Sequence, residues 1–286
     1  MSRIAYVNGR YVPHGEASIH VEDRGYQFAD GVYEVCEVRG GALIDARRHL
    51  DRLDRSLGAL RIAPPMSRAA LLLVLRETVR RNTVRNGMVY MQVTRGVARR
   101  DHAFPPADTP ASIVVTARRS DFAAQEALAA TGVKVISLPE NRWPRVDIKT
   151  VGLLPNVLAK QAAKEAGARE AWFVDAAGHV TEGASTNAWI VTAGGTIVTR
   201  PADAGILRGI TRTVVLEEAR ALGYALEERP FTLAEAHAAA EAFITAASTL
   251  VMPVIAIDGQ AVGDGKPGPV ATRLRQRFHD FAEFSI

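Results

Sequence analysis

The sequence predicts a mixed α/β protein of two domains, and three observations carry that prediction. The chain has 286 residues, enough for one large domain or two at roughly 100–200 residues per domain. Runs that alternate apolar and polar residues recur between runs with apolar residues every third or fourth position, the pattern of strands interleaved with helices. A polar, Ala-rich stretch from Arg118 to Thr131 separates two such halves. An N-terminal α/β domain is therefore placed at residues 1–120, an interdomain connection at 121–131 and a C-terminal domain at 132–286.

Taken in order, Ile4-Ala5-Tyr6-Val7 and Arg10-Tyr11-Val12 are β-prone runs around Asn8-Gly9, the commonest hairpin dipeptide. Val32 to Val38 alternates as a strand, and Arg39-Gly40-Gly41 turns it into a second strand at Ala42-Leu43-Ile44. Leu50, Leu53, Leu57 and Leu60 recur at helical spacing from Ala46 to Leu60, and Pro64-Pro65 bars any continuation. This amphipathic helix carries His49 and Arg52. Ser67 is a suitable N-cap for a helix reaching about Asn82, with Gly87 closing the connection that follows. Strands are expected at Met88–Thr94, Ser112–Ala117, Val133–Ser137 and Glu170–Asp175, with a helix from Asn156 to Glu165. Further strand flanks a small, polar stretch between Val180 and Val191. A helix follows Gly209 and stops at Gly223, the Ala-rich run Ala234–Ala242 reads as helical, and Ala242 onward is a strand that enters a small-residue turn.

Composition limits what the chain can do. Hydrophobic residues make up 48% and charged residues 23%, which suits a soluble globular protein with a sizeable core. Thirty-five Lys and Arg against 31 Asp and Glu leave a net charge of +4, scattered in pairs such as Arg47-Arg48, Arg99-Arg100 and Arg118-Arg119. That distribution argues against nucleic-acid binding and favours a small anionic ligand. Cys36 is the sole cysteine, so no intramolecular disulfide can form, and a reducing compartment is the simplest setting. No apolar run approaches the roughly 18 residues of a membrane span, and the amino terminus lacks a signal-type apolar core, so a cytoplasmic protein away from membranes is expected.

Four places carry possible chemistry. Lys149 lies in Arg145–Asn156, ringed by apolar residues; a lysine kept from full hydration can be neutral and form a Schiff base, while a snorkelling surface lysine has the same local sequence. Arg100 and His102 lie in a loop before Pro105-Pro106, where a planar guanidinium fork and an imidazole could clamp a carboxylate or simply be solvated. Glu182 interrupts a strand and needs a partner, because an unpaired buried carboxylate is costly. Gly209-Ile210-Thr211 begins a helix whose amides and hydroxyl could seat a phosphate or be an ordinary capped start.

Together, Phe28-Ala29-Asp30-Gly31-Val32-Tyr33-Glu34, His49-Leu50-Asp51-Arg52-Leu53, Asp147-Ile148-Lys149-Thr150 with Leu154-Pro155-Asn156, Thr181-Glu182-Gly183 with Asn187, and Gly209-Ile210-Thr211-Arg212 form an ordered set. In this set the chain resembles the class IV, fold-type IV pyridoxal-5′-phosphate aminotransferases over essentially its full length. The resemblance implies an N-terminal α/β domain and a C-terminal domain with a barrel-like sheet, with the cofactor lying between them. It implies that Lys149 forms the Schiff base with the cofactor and moves the proton, and that Glu182 pairs with the protonated pyridine nitrogen. Arg52, Gly209, Ile210 and Thr211 would meet the phosphate, and Leu207 would pack on the ring face. Ala247 and Ser248 occupy a further phosphate-side turn, where Ala246-Ala247 stands in place of the hydroxyl residues frequent in the family.

Within the family the D-amino-acid transaminases are the most similar, because Arg100-Asp101-His102 matches their Arg-x-His loop and Tyr33 matches the aromatic beside the substrate carboxylate. This implies a homodimer in which the loop reaches into the neighbouring subunit's site. The implied reaction moves the amino group of a D-amino acid such as D-alanine or D-glutamate to a 2-oxo acid. A branched-chain or other class IV transaminase, and a lyase of the aminodeoxychorismate type, are the alternatives. No metal is implied.

Overall fold

The computed structural model describes residues 3–203 and 205–285. Its elements are β1 (Ile4–Val7), β2 (Arg10–Pro13), α1 (Arg24–Phe28), β3 (Gly31–Arg39), β4 (Ala42–Ile44), α2 (Ala46–Leu60), α3 (Arg68–Arg81), β5 (Gly87–Thr94), β6 (Ser112–Arg119), α4 (Phe122–Thr131) and β7 (Val133–Pro139). There follow α5 (Leu154–Glu165), β8 (Glu170–Val174), β9 (Val180–Gly183), β10 (Asn187–Val191), β11 (Ile197–Thr199), α6 (Ile210–Ala221), β12 (Leu226–Glu228) and α7 (Leu233–His237). The chain closes with β13 (Glu241–Ala246), β14 (Leu250–Ile257), β15 (Gln260–Ala261), α8 (Pro269–Phe281) and β16 (Phe284–Ser285). Two compact units result. The first holds the chain to Phe122 together with Ile148–Gly152 and the end from Glu283; the second holds Ala123–Asp147 and Leu153–Ala282.

In the first unit, among the described residues, a seven-stranded antiparallel sheet runs β16-β4-β3-β5-β6-β1-β2. Asn8 and Gly9 both have positive φ, which matches the right-handed twist of the strands they join. The leucine periodicity of α2 turns Leu50, Leu53 and Leu57 onto one face of the sheet, where they pack with Val32, Cys36 and Met91. α3 begins where the sequence places it, with the Ser67 hydroxyl accepting the Ala70 amide. Gly87 does not close a connection: it pairs with Val38 on one side and Arg119 on the other, as the first residue of β5.

The second unit contains, among the described residues, a nine-stranded mixed sheet in the order β12-β11-β10-β13-β14-β7-β8-β9, with β15 on β14. Its end strand β9 returns beside β10, where the Asn187 amide reaches Glu182 at 2.9 Å, so the sheet curls on itself. Trp172, Ile190, Phe231, Ile244 and Met252 fill one side, and Ala159, Ala163 and Phe173 another. Two local expectations change. Residues 121–131, expected as a connection, are mostly the helix α4. The Ala-rich run is helical only over α7, where a Thr232–Glu235 capping box starts it. Cross-strand pairing with β10 then takes Ala242 into β13, overriding alanine's helix preference.

Candidate active site

The first unit presents Lys149 on a short excursion beside β3. The Tyr33 amide donates to the Lys149 carbonyl at 3.0 Å, the Val151 amide to the Gly31 carbonyl at 3.1 Å, and Thr150 bridges Val32. Buried Ile148 anchors the strip in the core. The half-buried lysine places its Nζ 4.2 Å from the Tyr33 ring centroid, a cation–π contact worth about 0.5–1 kcal/mol where water still reaches it. Tyr33 stacks on Tyr90 at 5.7 Å, and the Tyr90 hydroxyl donates to Gln92 Oε1 at 2.6 Å. Burial, reinforced by the neighbouring Tyr33 hydroxyl, pushes the Tyr90 phenol up to about 12. The Tyr90 hydroxyl behind the Tyr33 ring is thus neutral at working pH. Tyr33 is among the sequence-predicted residues; Tyr90 and Gln92 are not.

Arg52 and His49 project from the buried face of α2 onto Glu34 of β3. Arg52 Nε and Nη2 reach the two Glu34 oxygens at 2.6 and 2.8 Å, and His49 Nδ1 lies 2.8 Å from Oε2. Burial alone would raise the Glu34 carboxyl, but the Arg52 guanidinium wins and holds it well below the usual range. Burial pushes His49 down against the pull of Glu34, so the ring is neutral and Nδ1 donates to the carboxylate. Glu34 is the partner that the sequence reading of Arg52 lacks, although both residues fall within its motifs. Arg100 and His102 stand on the exposed loop between β5 and β6, and both lie against the Phe28 ring, at 5.0 and 5.4 Å.

In the second unit Glu182 of β9 is 4% exposed and held by three different donors. Arg142 Nη1 reaches Oε1 at 2.6 Å, Asn187 Nδ2 reaches Oε2 at 2.9 Å, and the Leu207 amide lies 3.2 Å from both oxygens. Arg142 also grips Glu140 through Nε and Nη2 at 2.9 and 2.7 Å and lies over the Phe173 ring at 4.5 Å. Burial would lower the Arg142 guanidinium, but the two carboxylates overcome it and raise it. Glu182 therefore has the partner its burial demands. Nothing local marks Arg142, which lies 40 positions away in sequence.

Asn187 ties Glu182 to the start of α6. Its Nδ2 also donates to the Leu207 carbonyl at 2.9 Å, and its Oδ1 leaves no room at Gly209, where a Cβ would fall 2.1 Å away. Gly209 is the N-cap of α6 and supplies no side-chain cap, so the first amides of Ile210–Ala221 are left for another acceptor. Thr211 is buried in that first turn. Ala247 and Ser248 fall in the turn after β13, Ser248 exposed, and in the same turn the buried Thr249 hydroxyl has no hydrogen-bond partner. A buried acid locked to an uncapped helix start, with a glycine that admits no side chain, fits a group bearing a basic ring nitrogen at one end and a phosphate at the other. In the first unit, the Lys149 amine, with no hydrogen-bond acceptor on its Nζ among the described residues, is of a kind that combines with an aldehyde.

Comparison with known proteins gives a consistent picture. The Amino-transferase class IV family matches residues 31–257. The D-alanine aminotransferase of Bacillus licheniformis is 41% identical over 94% of this chain and 93% of its own, and that of Staphylococcus haemolyticus 36% identical over 97% of each. Among solved structures, the branched-chain aminotransferase from the thermophilic archaeon Thermoproteus uzoniensis with norvaline superposes with a TM-score of 0.85 at 26% identity, covering 99% of each chain.

Proposed function

Because the chain belongs to the class IV amino-transferases, whose cofactor is pyridoxal 5′-phosphate, we propose that it transfers the amino group of a D-amino acid, D-alanine or D-glutamate, to a 2-oxo acid. When bound, the cofactor supplies an aldehyde that takes up the amino group and a ring that withdraws electrons from the bond to be broken. Lys149 Nζ would hold the aldehyde group and would move the α-proton of the substrate. Glu182, held by Arg142, Asn187 and the Leu207 amide, would hold a proton on the ring nitrogen. Gly209, Ile210 and Thr211 at the start of α6 take the phosphate, with Arg52 and the Ala247-Ser248 turn toward the same group, and Leu207 supports the ring face. Tyr33, Arg100 and His102 receive the substrate carboxylate.

The observation that carries the D-amino-acid assignment is the convergence of Arg100 and His102 on one ring, Phe28. It supports a two-donor receptor for a carboxylate, in a chain that is similar over nearly its full length to D-alanine aminotransferases. The enzyme acts as a cytoplasmic homodimer with this loop serving the neighbouring subunit's site; the buried, unpaired thiol of Cys36 is in keeping with a reducing compartment. The structural likeness to a branched-chain enzyme supports L-branched-chain amino acids as a second reading. Single-turnover absorbance of the loaded enzyme with D-alanine, D-glutamate and L-leucine separates the two. D-alanine should react at least about tenfold faster than L-leucine, a difference of about 1.4 kcal/mol in barrier, and the reverse order would overturn the proposal.

A further inference from the structure

Arg24 is the first residue of the five-residue helix α1 and is 3% exposed, although it is a long cation. Its Nε pairs with Asp30 at 2.8 Å, while Nη1 donates to the Asp101 carbonyl at 2.6 Å and Nη2 to the His102 carbonyl at 3.4 Å. One planar guanidinium thus joins the residue just before β3 to the two backbone carbonyls that follow Arg100. The same group lies over the Phe28 ring at 4.9 Å, on which Arg100 and His102 also rest. Asp30 is shared with Arg95, whose Nε and Nη2 reach it at 2.7 and 2.9 Å. Burial would raise the Asp30 carboxyl, but the two guanidiniums win and hold it below the usual carboxylate range. Arg95 in turn donates to the Leu60 and Arg61 carbonyls at the end of α2 and stacks on Phe104 at 3.7 Å. An exposed loop is therefore clipped to the sheet at two points by buried arginines that share one carboxylate.

We infer that Arg24, acting with Phe28, is a positioning residue that sets the placement of Arg100 and His102, and through them the affinity for the substrate carboxylate, without itself touching substrate. This rests on the proposed role of the loop. Fixing two donors in advance removes the cost of ordering them at binding, so the effect falls on KM more than on kcat. Lysine cannot replace arginine here, because one ammonium cannot span Asp30 and two carbonyls in a plane.

The test compares Arg24→Gln and Arg24→Lys with Arg100→Ala in the holoenzyme. Arg24→Gln should raise KM for D-alanine about tenfold or more with kcat within about twofold, and Arg24→Lys should fall between it and the parent. Limited trypsin digestion supplies a readout that needs no turnover: cleavage after Arg99 or Arg100 should accelerate selectively in Arg24→Gln, the rest of the chain staying intact. An unchanged KM in Arg100→Ala overturns the carboxylate role of the loop and this inference with it. A raised KM in Arg100→Ala with parent-like KM and parent-like loop cleavage in Arg24→Gln overturns the inference alone. So does a fall in kcat at constant KM. If Arg24→Gln does not fold, Arg24→Lys decides by the same two measurements.

Discussion

Lys149 and Glu182 are held in opposite ways. The lysine stands half-buried on a five-residue strip of the first unit, and its amine meets a ring face and no hydrogen-bond acceptor among the described residues. The glutamate is almost fully buried in the second unit and is fixed by a guanidinium, a side-chain amide and a backbone amide. The difference suits the role proposed for each group. An amine that exchanges partners and shuttles a proton gains from weak, replaceable contacts, whereas a carboxylate that keeps a charge in a dry place needs donors that do not move. Glu218 of α6 marks the other extreme: it is fully buried, and among the described residues neither of its oxygens has a hydrogen-bond partner.

The largest expected effect breaks the lysine side of this contrast. Lys149→Ala should lower amino transfer by about a thousandfold or more, since no other group replaces a bound amine. Its weak contacts should leave unfolding free energy within about 0.5–1 kcal/mol of the parent by denaturant titration. A large loss of stability would show that the strip is a structural clamp. Glu34→Ala should do the reverse within the same unit, costing about 3–5 kcal/mol of stability because the buried Arg52 guanidinium loses the carboxylate it grips through two nitrogens. A small cost in the same titration would mean that Arg52 finds another partner. Glu182→Gln should keep cofactor binding within a fewfold while slowing the half-reaction by about 10- to 100-fold, and an unchanged rate by stopped-flow absorbance would remove Glu182 from the chemistry.

The smallest effect concerns Glu218. Burial, reinforced by Asp280 and little relieved by Arg277 and Arg273, pushes its carboxyl up to about 8 from an ordinary 4.5. The folded chain thus keeps a proton that the unfolded chain releases. The associated stability is fully present below pH 4.5 and is lost as pH rises through about 8. Glu218→Gln should leave Tm unchanged near pH 4.5 and raise stability near pH 9 by about 1–3 kcal/mol. Parallel Tm-against-pH curves for parent and variant would show that the group ionises without penalty.

Most of the scaffold was legible locally. Asn8-Gly9, the leucine spacing of α2 and Ser67 each act over a few residues, and each element formed where its signal stands. The Ala-rich run misled only in its length, because α7 stops at His237, whereas the strand expected from Ala242 forms and pairs with β10. The site residues were legible as motifs, yet their partners were not: Arg142 meets Glu182 across 40 positions and Arg24 meets the Asp101 carbonyl across 77. An arginine on a polar stretch carries no local mark of the carboxylate or carbonyl it will find after folding. Burial shows it only once the sheet exists.

The central claim is that Lys149 is the amine that holds the cofactor, and the chain offers a clean background because it has only five lysines, Lys134, Lys149, Lys160, Lys164 and Lys266. Borohydride reduction of the holoenzyme followed by peptide mass mapping locates the attached phosphopyridoxyl group directly. One modified peptide is expected, the one containing Lys149, with no label in that position after prior incubation with excess D-alanine. Stoichiometric label on any of the other four lysines, or an unmodified Lys149 in enzyme shown to hold one cofactor per chain, would contradict it.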